Sequence, residues 1–139
     1  MAITQTMTDT CKEDLLTGDV HFDTDTFKIA LFTSDATLDA STTAYSTTNE
    51  VTSANYTAGG EELTGATVSV SDNIAFIDFA DATWSNVTFT ARGALIYNTS
   101  NSNASIAVLD FGSDKTVTNG TFTVTFPAAS ATTALIRIE

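Results

Sequence analysis

Threonine fills about one position in five of this 139-residue chain and is spread from end to end in alternation with Val, Ile and Phe. Thr123 and Thr125 interleave with Phe122, Val124 and Phe126, and Thr88 and Thr90 flank Phe89. A β-branched side chain bearing a hydroxyl is stiff in a helix and suits the solvent face of a pleated sheet. The pattern therefore predicts an all-β shell. Reactive groups are scarce beside it: one His, one Cys, and five Lys plus Arg. From the residues alone the chain reads as an acidic, soluble β-domain.

The length predicts a single β-sandwich domain over 1–139, large enough to bury roughly two-thirds of the surface that its unfolded chain exposes. Cys11 is alone, so no intramolecular disulfide supports the fold, and it reads as a small buried hydrophobe. A net charge of −12 repels phosphate backbones and argues against a nucleic-acid partner. The acids are dispersed, as solvated surface and turn residues are. Residues 1–10 carry neither a basic n-region nor an apolar h-region, and no apolar run reaches the ~20 residues that span a bilayer, so no leader and no membrane partner are expected. Five Asn-x-Ser/Thr sequons, from Asn55 to Asn119, carry no weight in a chain this rich in Thr and Ser.

One short helix is expected over 11–17. Thr10 and Glu13 have capping-box spacing, Leu15 and Leu16 offer an apolar face, and Gly18 suits a left-handed C-cap. About two turns of helix are unstable alone and must pack on something. Strands follow at short intervals: Phe27–Phe32, then Leu63–Val70 and Ile74–Phe79 joined at Ser71-Asp72-Asn73. Further strands are expected over Val87–Thr90, Arg92–Asn98, Ile106–Phe111 and Ala134–Ile138. A hairpin is expected within Val117–Phe126, because Asn119-Gly120 can supply the two positive φ angles of a type I′ turn. Between Thr33 and Tyr56 lies a long polar stretch, which Tyr45 and Val51 can anchor. About eight strands with one helix outside the pattern indicate an antiparallel β-sandwich or jelly roll, with a barrel as the alternative. The predicted core is Phe27, Ile29, Leu31, Ile77, Phe79, Trp84, Leu95, Val108, Phe122, Val124, Phe126 and Ile136.

Candidate chemistry is sparse. Asp19, His21, Asp23 and Asp25 place oxygen and imidazole ligands at alternate positions, as a divalent cation requires. The segment lacks the glycine and terminal Glu of an EF-hand and reads more simply as a solvated connection. Asp78, Asp81 and Asp110 sit at strand ends, where paired carboxylates would serve a glycosidase and turn-forming aspartates are common. No serine occupies a G-x-S-x-G context, and Gly59-Gly60 lacks the helix and lysine of a phosphate loop. Arg92 and Arg137 interrupt apolar strands and read as partners of nearby carboxylates. No catalytic, cofactor-binding or metal residues are assigned, and no cofactor is expected.

Several long stretches carry a likeness. They are MAITQTM, DTFKIALFTSDATLDASTTAYSTTNEV, YTAGGEELTGATVSV, ATWSNVTFTARGALIYN, VLDFGSDKT and FPAASATTALIRI. Through them the chain resembles, nearly end to end, a group of small virion structural proteins of tailed bacteriophages. The resemblance implies a decoration (cement) protein that is made in the host cytoplasm, binds the major capsid protein on the outer head and stabilises it. It implies a homo-oligomer, dimer or trimer, and no enzymatic activity. Residues 1–10 and the Thr33–Tyr56 loop are then candidate arms. A head- or tail-fibre module, stacking host glycans on Tyr45, Tyr56, Trp84 or Tyr97, and a tail or connector ring are the alternatives.

Overall fold

The computed structural model describes residues 2–130 and 132–138, and it is an all-β sandwich of two antiparallel sheets with one α-helix. In chain order the elements are β1 (Thr6–Met7), α1 (Asp9–Thr17), β2 (Phe27–Phe32), β3 (Glu61–Glu62), β4 (Thr67–Ser71) and β5 (Ile74–Asp78). They continue with β6 (Ala82–Asn98), a 3₁₀ turn (Thr99–Asn101), β7 (Ala104–Val124) and β8 (Ile136–Ile138). One sheet has the order β1-β7-β6-β2-β3 and the other β4-β5-β8.

The frame is the β6–β7 ribbon. Its pairing runs from Asn98 opposite Ala104, beside the connecting turn, to Ala82 opposite Val124. The stretches expected as separate strands on either side of Thr90–Arg92 and of Phe111–Val117 are therefore continuous. The hairpin expected at Asn119-Gly120 does not form. Asn119 has φ 47°, but Gly120 is not in the left-handed region, so the two-residue I′ requirement fails. Gly120 lies opposite Val87, the register shifts on both sides of that pair, and the Asn119 N–H donates to Thr88 Oγ1 at 2.9 Å. One left-handed residue in a paired strand makes a bulge that bends and twists the ribbon without reversing it. Two consecutive positive φ angles occur instead at Asp72 (52°) and Asn73 (65°), where Ser71 and Ile74 close the β4–β5 hairpin.

Burial along the ribbon changes at a larger bulge, where Arg92 faces Phe111–Asp114 between the pairs Ala91–Lys115 and Gly93–Asp110. From Ala82 to Thr90 buried and exposed residues largely alternate, and Thr83–Thr123 (3.4 Å) and Thr90–Thr116 (2.9 Å) form cross-strand hydroxyl pairs on the solvent face. From Gly93 to Asn98 every residue of β6 is buried, so both faces of that half must be covered. On one face Phe27, Ile29, Leu31 and Ile96 pack with Ile77 and Ile136 of the smaller sheet and with Phe79 just after β5. On the other, Ala30, Phe32, Leu95, Tyr97 and Val108 are covered by Ile3, Ala36, Leu38 and Tyr45. The predicted core is buried throughout except for Phe122, which is half-buried and stacks its edge toward Phe89 and Trp84.

Both candidate arms contribute to that second cover. Thr6 and Met7 pair with Val108 and Ala107, and Ile3 bridges Leu38 in parallel, with the Thr4 N–H donating to the Leu38 carbonyl at 2.9 Å. Burying Ile3 and Leu38 contributes about 2 kcal/mol each, enough to hold both segments on the sheet. The helix also differs from expectation. It starts at Asp9 and is capped by Thr8, whose Oγ1 accepts from the Cys11 N–H at 3.2 Å. Thr8 wins over Thr10 because its own N–H is tied to the Ile106 carbonyl at 3.0 Å, which fixes it where strand pairing ends. Cys11 and Leu15 face the core, whereas Leu16 is exposed; Gly18 closes the helix at φ 81° as expected.

The edge of β2 is sealed by β3, by the Tyr56 hydroxyl on the Leu31 N–H (2.9 Å) and by Glu50 opposite Phe32. Gly60 makes this fit possible. At φ +81° a Cβ there would lie 1.8 Å from the Ile29 carbonyl oxygen. Gly60→Ala is expected to cost about 3 kcal/mol or more in urea denaturation, through strain plus forced separation of the chains. Gly18→Ala, also at φ +81° but with nothing within 4 Å, should cost about 1 kcal/mol. Equal losses at the two positions would contradict the close approach.

Candidate functional site

Two of the chain's three tyrosines donate to one buried carboxylate, and the third fastens the loop beside it. Glu50, in the connection between β2 and β3, accepts from the Tyr45 hydroxyl (2.6 Å) on one oxygen. Its other oxygen accepts from the Tyr56 hydroxyl and the Gly59 N–H, both at 2.8 Å. The Tyr97 hydroxyl, from β6, donates to the Gly59 carbonyl at 2.6 Å, and its ring stacks on Tyr45 with centroids 4.5 Å apart. A carboxylate 9 % exposed is costly unless its lone pairs are used, and three donors use them here.

Burial, and next the Glu50 hydrogen bond and charge, hold the Tyr45 phenol well above its ordinary range. Burial, with the nearby Glu50 charge, does the same for Tyr56 despite the Leu31 N–H. Tyr97 is pushed up to about 12 by burial and then by Glu50. Chemically the cluster is a clasp that fastens the loop to the sheet. Sequence reasoning missed Glu50, whose only signal is a lone acid between Tyr45 and Tyr56 in a stretch of hydroxyl residues.

The acidic positions singled out from the sequence are dispersed among local tasks. Asp25 Oδ2 accepts from the His21 N–H (2.9 Å) and from Asn98 Nδ2 (2.8 Å), so this carboxylate folds its own turn and ties it to β6. Asp19 accepts from Thr17 Oγ1 at 2.8 Å. Among the described residues no three His, Cys, Asp or Glu side chains are grouped to hold a metal ion. Asp81 accepts from the Phe126 N–H at 3.1 Å. Asp110 pairs with Arg92 and accepts from the Gly112 N–H at 2.9 Å. The Gly112 N–H first, and then Arg92, hold its carboxyl below the usual range. One oxygen of Asp78 and the Trp84 indole N–H are buried without a hydrogen-bond partner among the described residues.

The aromatic groups considered for glycan stacking are used within the protein. Trp84 is 2 % exposed and packs between Tyr56 and Phe122, while Tyr45 and Tyr97 stack on each other. Cys11 is fully buried, and burial followed by the Asp14 charge pushes its thiol up to about 12. No described helix is long and apolar enough to cross a membrane.

A cavity of about 730 Å³ opens where the two sheets part, between β1 on one side and the segment leading into β8 on the other. Met7, Leu109, Phe111, Phe122 and Leu135 make its apolar lining, and Lys115, Asp110 and Arg137 lie at its polar parts. β1 and β8 are the outer strands of their sheets, so strand edges flank an apolar floor. No protein-family model, curated protein or solved structure matches this chain.

Removing the acceptor should loosen the clasp in proportion to the donors left behind. Glu50→Ala strands the Gly59 N–H and two hydroxyls and is expected to cost about 3 kcal/mol in urea denaturation. Glu50→Gln keeps one acceptor oxygen, and the Tyr45 hydroxyl can reverse to accept from the amide, so its cost is about 1 kcal/mol. The raised phenols and thiol also set a pH dependence. Their folded pKa values exceed the ordinary 10.0 of tyrosine and 9.0 of cysteine, so the unfolded chain releases protons first. Stability is complete below about pH 9 and falls as pH rises toward about 12. Tyrosinate absorbance should appear only together with loss of the circular-dichroism signal. Ionisation near pH 10 in the folded protein would contradict the buried clasp.

Proposed function

We propose that the protein is a structural component of a tailed-bacteriophage virion, a decoration protein that binds the major capsid protein on the outside of the head as a homo-oligomer and reinforces it. This reading rests on the resemblance stated from the sequence alone, in the stretches from MAITQTM to FPAASATTALIRI. Three physical features support it. Asp25, Asp81 and Asp110 and the rings of Tyr45, Tyr56, Trp84 and Tyr97 are engaged in internal contacts. The solvent face of the ribbon carries paired threonines, and a net charge of −12 resists non-specific association of a protein made in many copies. The cavity between β1 and β8 gives an extended segment of shell protein an apolar floor and strand edges to pair with. Many such contacts over a shell sum to firm attachment even where each is weak.

Heads assembled without this chain test the reading. Added protein is expected to co-sediment with them at on the order of hundreds of copies per head, as shell-wide repetition requires, and to raise the temperature at which packaged DNA is released. Leu135→Asp, with an unchanged circular-dichroism spectrum, should weaken co-sedimentation by charging the cavity. Saturation at about six or twelve copies would favour a ring or fibre attachment. Unchanged DNA release with and without bound protein would overturn the reinforcing role.

A further inference from the structure

We infer that β4 is a pairing edge, and that it pairs antiparallel with β4 of a second copy of this chain about a two-fold axis at Ser69. The inference refines the homo-oligomer in the reading above by naming its contact, and it stands apart from where the protein acts.

β4 is the outer strand of the smaller sheet. Its sequence, TVSVS, holds none of the charged residues of this strongly charged chain, and no proline. Soluble proteins usually guard such an edge with lysine, proline or a bulge, and β4 pairs with β5 in unbroken register over all five residues.

The backbone sets which groups are free. Ser71 and Ile74 close a two-residue turn and so exchange hydrogen bonds; alternation then points the groups of Ser69 and Thr67 toward β5. The N–H and C=O of Val68 and Val70 therefore point outward from the sheet edge. The side chains add a second demand. Val68 aligns with Ile77 and Ile136, and Val70 with Ala75 and Ile138, all on one face. Ile77 and Ile136 are 3 % and 6 % exposed, whereas Val68, Val70 and Ile138 are 52 %, 73 % and 47 % exposed. The apolar inner face thus runs past the core that covers it.

An occupant must supply both a strand and apolar side chains, and TVSVS supplies both to itself. Laid antiparallel about Ser69, Val68 faces Val70 of the second copy and Thr67 faces its Ser71. The outward groups of Val68 and Val70 then meet their counterparts in about four N–H···O=C bonds. The row Ile138–Ala75–Val70 continues into Val68, Ile77 and Ile136 of the second copy on the same face. Charge favours this edge as well. Two chains of net charge −12 repel each other, and an uncharged strand is where they approach at least cost.

Sedimentation equilibrium of the full chain tests the assignment. The wild type is expected at twice 14.6 kDa, and both Val70→Pro and Val70→Lys at 14.6 kDa. The proline removes an outward N–H while leaving the β4–β5 bonds in place, and the lysine charges an exposed position. The two variants should keep the wild-type circular-dichroism spectrum. An oligomer that persists in both variants overturns the β4 contact and leaves an oligomer with another interface. A wild type that sediments at 14.6 kDa at every concentration overturns the contact and the oligomer together. Capsid binding is read separately by co-sedimentation with heads, so its failure is distinguishable from either result.

Discussion

The structure depends on one constraint: half of the β6–β7 ribbon is buried on both faces, so it needs two independent covers. From Gly93 to Asn98 no residue of β6 is left at the surface, and Phe27–Phe32 beside it is apolar on both sides but for Lys28. The smaller sheet and α1 supply the first cover. The second has no sheet of its own. It is built from residues 2–8 and the connection after β2, segments whose composition is that of loops. Their polar backbone is satisfied by strand-like bridges to the sheet edges, and their apolar residues Ile3, Ala36 and Leu38 point inward.

Glu50 explains how such a loop is held. A hydrophobic anchor alone gives a few kcal/mol without fixing geometry, whereas a buried carboxylate tolerates only arrangements in which its oxygens are bonded. Tyr45, Tyr56 and the Gly59 N–H meet that demand, and Tyr97 ties the same loop to β6. The Tyr56 hydroxyl links the two halves of the problem. It donates to Glu50 and accepts from the Leu31 N–H, closing a gap in the β2 edge. The clasp thus both seals an edge and holds the second cover in register.

Much of this was legible from composition and pattern. Threonine alternation marks the ribbon's solvent face, where Thr83, Thr90, Thr116 and Thr123 stand in pairs. The Asp72-Asn73 turn, the Gly18 cap and most of the core were visible for the same local reasons. What stayed hidden depends on pairing over long sequence distances. Asn119-Gly120 carries a turn signature, yet Val87 and Thr88, some thirty residues away, hold it in a bulge. Thr10 and Glu13 have capping-box spacing, but strand pairing of Thr8 with β7 moves the helix start two residues earlier. Both loop arms looked free because a mostly polar segment with sparse apolar residues shows no period, and only the two-faced sheet reveals a need for cover. Glu50 was hidden for a related reason, since one acid among hydroxyl residues has no motif.

An acidic β-body whose tyrosines and Glu50 are turned inward presents strand edges and the cavity between β1 and β8 at its surface. The proposed place in a virion shell draws on those surfaces. The most direct measurement is a cryo-electron-microscopy reconstruction of the virion that carries this chain. The account predicts density for the sandwich repeated over the outer surface of the head, with a segment of the major capsid protein seated between β1 and β8. Density confined to the tail or connector, or a head surface bare of this protein, would contradict it.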